Sequence, residues 1–85
     1  MNIKFSKKAD KDLSCIDKQN IKRIIQKLKA FASGESVDVV LLIGYTNLYR
    51  LKVGDYRVIF EFINDEIKII HILRIQHRKD VYKDL

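Results

Sequence analysis

A side-chain period of two runs through residues 48–82, LYRLKVGDYRVIFEFINDEIKIIHILRIQHRKDVY, and few folds accommodate it. Aromatic and β-branched residues alternate with polar ones, as in antiparallel strands that bury one face. Two breaks divide the stretch into three strands, and a short basic tail follows them. Gly54-Asp55 suits a two-residue hairpin of type II′, where glycine takes the positive φ at the first central position. Asn64-Asp65 suits a second two-residue turn, because both residues tolerate left-handed geometry.

Those turns set a register, and register sets side-chain direction. Lys52 falls opposite Arg57, Arg50 opposite Ile59, Glu61 opposite Lys68 and Arg57 opposite Ile72. One face then carries Tyr49, Leu51, Val53, Tyr56, Val58, Phe60, Phe62, Ile67, Ile69, His71 and Leu73. It is apolar and must be covered, and His71 reads there as a satisfied core histidine. The other face carries Arg50, Lys52, Arg57, Ile59, Glu61, Lys68, Ile70, Ile72 and Arg74. Glu61 with Lys68 is an ordinary cross-strand ion pair. Lys52 opposite Arg57, with Arg50 beside them and Arg74 on a diagonal, is a like-charge cluster. Like charges directly opposite each other destabilise a sheet. The cluster reads either as a solvated surface or as an anion site built for phosphate.

The preceding half supplies the cover. Asn2–Ser6 alternates around Ile3 and Phe5 and reads as a first strand. Ser6 then caps a short helix with Ala9, Leu13 and Ile16 on its apolar stripe. The early lysines of that helix oppose its macrodipole, so packing has to hold it. Asp17 caps a stronger helix over Lys18–Ala32, in which Ile21, Ile24, Ile25, Leu28 and Phe31 follow helical spacing. Ser33-Gly34 ends it. Its outer face shows Lys22, Arg23, Gln26, Lys27 and Lys29, a pattern expected of a solvated surface. Residues 37–44 (VDVVLLIG) read as a further extended segment or a connection along the sheet edge. The expected architecture is α+β: β-α-α-β-β-β, with a helical hairpin on one face of a small, antiparallel-rich, four-stranded sheet.

With 85 residues, the chain is expected to form a single domain spanning residues 1–85. The 47% hydrophobic and 33% charged composition is that of a globular protein. A lone Cys15 excludes an internal disulfide framework and, without a Cys/His pattern, a structural zinc site. No apolar run reaches the roughly 20 residues that span a bilayer, and no secretory segment precedes the fold. A cytoplasmic protein without membrane attachment is expected. A net charge of +6 favours a polyanionic partner, nucleic acid or acidic protein.

LYRLKVGDYRVIFEF, the strand INDEIKIIHILRI and the tail HRKDVY resemble the RelE/ParE toxin superfamily, and within it the RelE-like branch. The order of strand, helical hairpin and meander agrees, so the likeness covers essentially the whole chain. The resemblance implies the toxin of a type II toxin–antitoxin system that enters the 30S A site of the ribosome and cuts the messenger RNA there. It further implies a RelB-like cognate antitoxin that covers the active site in a hetero-oligomeric complex. Residue by residue, the family's basic strand positions fall on Arg50, Lys52 and Arg57, and its tail positions on Arg78 and Tyr82. Two departures stand out. Gln76 replaces a common glycine before the His-Arg pair, and Leu41, Leu42 and Ile43 stand where a basic residue is common.

Metal-free RNA cleavage proceeds by attack of a 2′-hydroxyl on the adjacent phosphate. It needs a proton acceptor, a proton donor and cations around the phosphorane. The sequence has no Asp/Glu cluster with metal-ligand spacing, so neither a two-metal nuclease nor a cofactor is expected. Arg57 and Arg78 are assigned to the phosphate, whose oxygens match a guanidinium fork. Arg50 and Arg74 add RNA binding. Lys52 is the candidate general base, because neighbouring cations disfavour its ammonium form. His77 is the candidate acid, with an inert tail histidine as the alternative. Tyr82 would stack on or orient a base of the codon. Two other functions stay open: a ParE-like inhibitor of DNA gyrase, and a non-catalytic RNA-binding module.

Overall fold

The computed structural model describes residues 2–42, 44–45, 47–63 and 69–79. Its elements are β1 (Asn2–Phe5), α1 (Lys7–Ser14), α2 (Lys18–Ala32), β2 (Val39–Leu41), β3 (Tyr49–Val53), β4 (Tyr56–Ile63) and β5 (Ile69–His77). The strands form one sheet in the order β1-β5-β4-β3-β2. β1 runs parallel to β5, and every other pair is antiparallel.

Both helices start where the sequence places a cap. Ser6 Oγ accepts the Ala9 N–H at 3.0 Å, and Asp17 accepts the Asn20 N–H at 3.3 Å. The Asp17 carboxylate also accepts from the Asn20 side chain at 2.7 Å, and that bond holds its pKa below the ordinary 3.8. α2 ends in a Schellman arrangement. The Glu35 N–H donates to the Ala30 carbonyl, the Gly34 N–H donates to the Phe31 carbonyl, and Gly34 has φ +85°.

The helices cover one sheet face. Ile24 and Leu28 of α2 and Ala9 of α1 are fully buried against Leu51, Val58, Phe60, Ile70 and Ile72. Burying each of the larger side chains is worth about 1.5–3 kcal/mol. Phe31 closes the end of this core, its ring 5.3 Å from Phe60 and 6.1 Å from Phe62. The α+β class and the helical hairpin on one face are borne out.

The sheet has five strands instead of the expected four. Val39–Leu41 is a strand in its own right, with Val40 paired to Arg50, because the apolar segment before Gly44 adds to the edge of β3. The β3–β4 hairpin matches its expectation. Val53 pairs with Tyr56, Lys52 with Arg57 and Arg50 with Ile59, and Gly54 has φ +58°.

The β4–β5 register does not match. Ile63 pairs with Ile69, three positions away from the register that a two-residue turn at Asn64-Asp65 sets. That turn, and Lys68, lie outside the described residues. An odd shift exchanges the faces of a strand. Ile70 and Ile72, expected outside, are therefore in the core. His71, expected in the core, instead lies on the opposite face and pairs with Glu61. A second irregularity follows. Ile72 opposes Phe60 while Arg74 opposes Ile59, leaving Leu73 as a bulge. The bulge restores Arg74 to the outer face and returns Ile75 to the core. As a result Arg57 opposes Gln76, not Ile72.

α1 secures the side of β5 that β1 leaves open. The Ser6 N–H donates to the Ile72 carbonyl, and its hydroxyl donates to the carbonyl of the bulged Leu73 at 2.9 Å. Further along, Asp12 accepts the Ile75 N–H at 2.8 Å. A strand edge that would otherwise present unpaired groups is thereby satisfied by a helix.

Candidate functional site

The sheet face turned away from the helices carries two cross-strand rows. One runs Val40, Arg50, Ile59 and Arg74, and the other Lys52, Arg57 and Gln76. Pairing thus brings Arg50, Lys52 and Arg57 together on one face, at the end of the sheet where the β3–β4 turn lies. Ile59, between Arg50 and Arg74, is only 1% exposed although it lies outside the helix-covered core. Lys52 is exposed, while Arg50 and Arg57 are half-buried.

Each cation is held differently. Arg57 Nη1 donates to the carbonyls of Gly54 at 2.9 Å and Tyr56 at 3.1 Å, which fixes the guanidinium against the turn. The tail reaches the same turn. The Arg78 N–H donates to the Asp55 carbonyl at 2.7 Å, and its Nε lies 3.8 Å from the Asp55 carboxylate. Arg50 lies 3.8 Å from the exposed Asp38 carboxylate, and its buried Nε has no partner among the described residues. A buried donor without an acceptor is costly unless a ligand supplies one.

Two candidate residues stand apart. Arg74 turns to α1, where Nε and Nη2 meet the two Asp12 oxygens at 2.9 and 3.2 Å, a bidentate fork. His77 is paired with Tyr56 and therefore shares the helix side of the sheet. Its ring meets the Tyr56 ring edge-on at 5.5 Å, and Nδ1 accepts the Lys79 N–H at 3.3 Å, which leaves the proton on Nε2. Tyr82 lies outside the described residues.

Sequence reasoning missed three anchors. Asp55 was read only as a turn residue, yet it holds Arg78. Asp12, which takes Arg74, lies 62 positions away in the chain, and no local pattern signals that pairing. Glu61 and His71 are joined at 2.9 Å on the outer face, with Lys4 of β1 paired beside His71. Without the β4–β5 register, nothing in the sequence links the two.

A family model described as the ParE toxin of the type II toxin–antitoxin system, parDE, matches residues 3–82. The chain belongs to the RelE/ParE family of type II toxins. This RelE/ParE toxin is 33% identical to Toxin RelE3 of Methanocaldococcus jannaschii, across 96% of each chain. Among solved structures it resembles the toxin in a RelB–RelE antitoxin–toxin complex from Methanococcus jannaschii. That likeness has a TM-score of 0.73 and 30% identity, covering 96% of this chain and 98% of the other. YafQ from Escherichia coli BL21(DE3) shares the fold at a TM-score of 0.72 with 13% identity, over 95% of this chain and 97% of YafQ. Among the described residues, no helix of the RelE/ParE toxin is long and apolar enough to cross a membrane.

Proposed function

We propose that this toxin is a ribosome-dependent, metal-independent endoribonuclease that cuts messenger RNA in the 30S A site. The observation that carries the reading is Lys52 directly opposite Arg57, with Arg50 one row away. Such an arrangement costs stability until a polyanion neutralises it. An RNA phosphate is the ligand that relieves the cost, and it would also supply an acceptor to the unpartnered Arg50 Nε.

In this mechanism Lys52 takes the proton from the 2′-hydroxyl as its oxygen attacks the neighbouring phosphorus. Arg57 and Arg78 surround the phosphorane, with Arg57 already fixed by two backbone carbonyls. Such cations are effective because they need not reorganise as charge develops. The P–O5′ bond breaks, solvent water protonates the departing oxygen because His77 lies on the helix side of the sheet, and the products are a 2′,3′-cyclic phosphate and a 5′-hydroxyl. Arg50 contributes RNA binding, whereas Arg74 is engaged by Asp12, and Tyr82 orients a base of the codon. A RelB-like antitoxin would cover this face in the cytoplasm; RelE toxins similar to this chain form complexes with RelB.

The test is primer extension on a reporter message after brief induction, with and without translating ribosomes. In-frame cuts that appear only with ribosomes support the reading, and Ala at Lys52, Arg57 or Arg78 should abolish them while the protein stays folded. Variants that cut as fast as the parent would sink the assignment. The ParE description of the matching family model favours a second reading, a DNA gyrase poison. Growth arrest with DNA damage and uncut message would support that one.

A further inference from the structure

Both arginines assigned to the phosphate hang from one two-residue turn. Val53 pairs with Tyr56 and closes it, leaving Gly54 and Asp55 at its tip. The Gly54 carbonyl accepts from Arg57 Nη1 at 2.9 Å, and the Asp55 carbonyl accepts the Arg78 N–H at 2.7 Å. The Asp55 carboxylate lies 3.8 Å from Arg78 Nε. Two consecutive residues thus set where a strand arginine and a tail arginine stand, although the two are far apart in the chain.

The turn does not need a carboxylate. With glycine at the first central position, at φ +58°, asparagine or serine serves at the second as well as aspartate does. Stability does not need it either. The Asp55 and Arg78 side chains are 64% and 61% exposed, and ion pairs so exposed contribute little to folding. A carboxylate at the end of the sheet that carries Lys52 and Arg57 even weakens the attraction of those cations for phosphate. What the charge does is restrain Arg78. That arginine follows the last residue of β5, so no strand pairing directs its side chain, and a free arginine spreads over many rotamers. Contact at Nε leaves the edge formed by the two terminal nitrogens to meet a phosphate.

We propose that Asp55 is a positioning residue of the cleavage site, whose carboxylate holds the Arg78 guanidinium against the same turn that fixes Arg57. The inference rests on the mRNA-cleavage reading, and it adds to that site an anionic residue that touches no substrate. Cations held in place stabilise the phosphorane because they need not reorganise as its charge develops. Loss of Asp55 should therefore fall on the rate of the chemical step and not on binding. Binding should even tighten slightly, because a negative charge near the incoming polyanion has gone. That pairing of slower chemistry with undiminished binding distinguishes Asp55 from a residue that grips RNA.

The test has two arms, both on the full chain. In the first, single-turnover cleavage of message on programmed ribosomes is followed across toxin concentrations. Asp55→Asn should lower the maximal rate about five- to tenfold, with a half-saturating concentration equal to or below that of the parent. Asp55→Ser, a second neutral turn former, should behave in the same way, and neither variant should shift the Tm. The second arm needs no cleavage. Side-chain ¹⁵N relaxation of the Arg78 Nε–H in the free toxin should report larger-amplitude motion in Asp55→Asn, approaching that of the exposed Arg23. The Arg57 Nε–H should be unchanged, because backbone carbonyls anchor that side chain. The proposal is overturned if Arg78 is as mobile in the parent as in the variant, or if Asp55→Asn cuts as fast as the parent or faster. It is also overturned if the loss lies in the half-saturating concentration, or if the Tm falls in step with the rate. A parent that cuts no message refutes the mRNA-cleavage reading and the catalytic role with it, while the relaxation arm still decides whether Asp55 holds Arg78.

Discussion

Arg57 shows how much of a site can reside in one side chain. Its charge is legible from sequence, and so is its place opposite Lys52, because a Gly-Asp hairpin leaves little freedom in register. Its two bonds to the Gly54 and Tyr56 carbonyls are not legible, since they depend on the rotamer that the turn selects. Lysine keeps the charge at this position but has no planar fork. Arg57→Lys should therefore cut translated message at least about tenfold more slowly than the parent, with the Tm unchanged within a few degrees. Equal single-turnover rates would mean that charge alone suffices. Asp17 carries the other residue-scale prediction. Its carboxyl is held below the ordinary 3.8, chiefly by the Asn20 side chain. The sign follows directly. The stabilisation is complete above that ordinary value and is lost as pH falls through the lower, folded-state value. Chemical denaturation at about pH 7 and about pH 3 should show the parent losing more stability than Asp17→Asn, which caps α2 without titrating. Parallel losses would contradict this.

At the scale of elements, the two helices and the β3–β4 hairpin were legible because short-range chemistry fixes them: caps at Ser6 and Asp17, a Schellman end at Gly34, a turn glycine at Gly54. The pairing of β5 was not. A polar, turn-prone stretch between two apolar strands does not state how many of its residues form the connection, and an error of three there exchanged the faces of Ile70, His71 and Ile72. The bulge at Leu73 then compensated, so Arg74 was placed on the right face for the wrong reason. Asp12 is what holds α1 to this strand, accepting the Ile75 N–H and the Arg74 fork together. Asp12→Ala leaves a backbone donor and a guanidinium without that partner, at a cost of roughly 2–4 kcal/mol. Urea denaturation would measure it, and amide exchange at Ile75 should rise well before that of Ile59. A loss below about 0.5 kcal/mol would mean that the Ser6 bonds and packing suffice to hold α1.

For the whole molecule, the sheet order makes β5 the hub. It lies between β1 and β4, its tail end is fastened to the β3–β4 turn through Arg78, and its open side is closed by α1. Removing β1 should therefore do more than shorten the sheet. A chain lacking residues 2–5 loses the Ile3 and Phe5 packing and the parallel ladder to β5, and it should show no cooperative thermal transition. A retained sigmoidal melt would show that α1 alone can seat β5. The same order has a consequence during synthesis. The first strand to leave the ribosome waits for the fifth, so a nascent chain paused before Ile69 has helices and a hairpin but no finished sheet. If the sheet face is what does harm, an incomplete copy is harmless to the machine still making it.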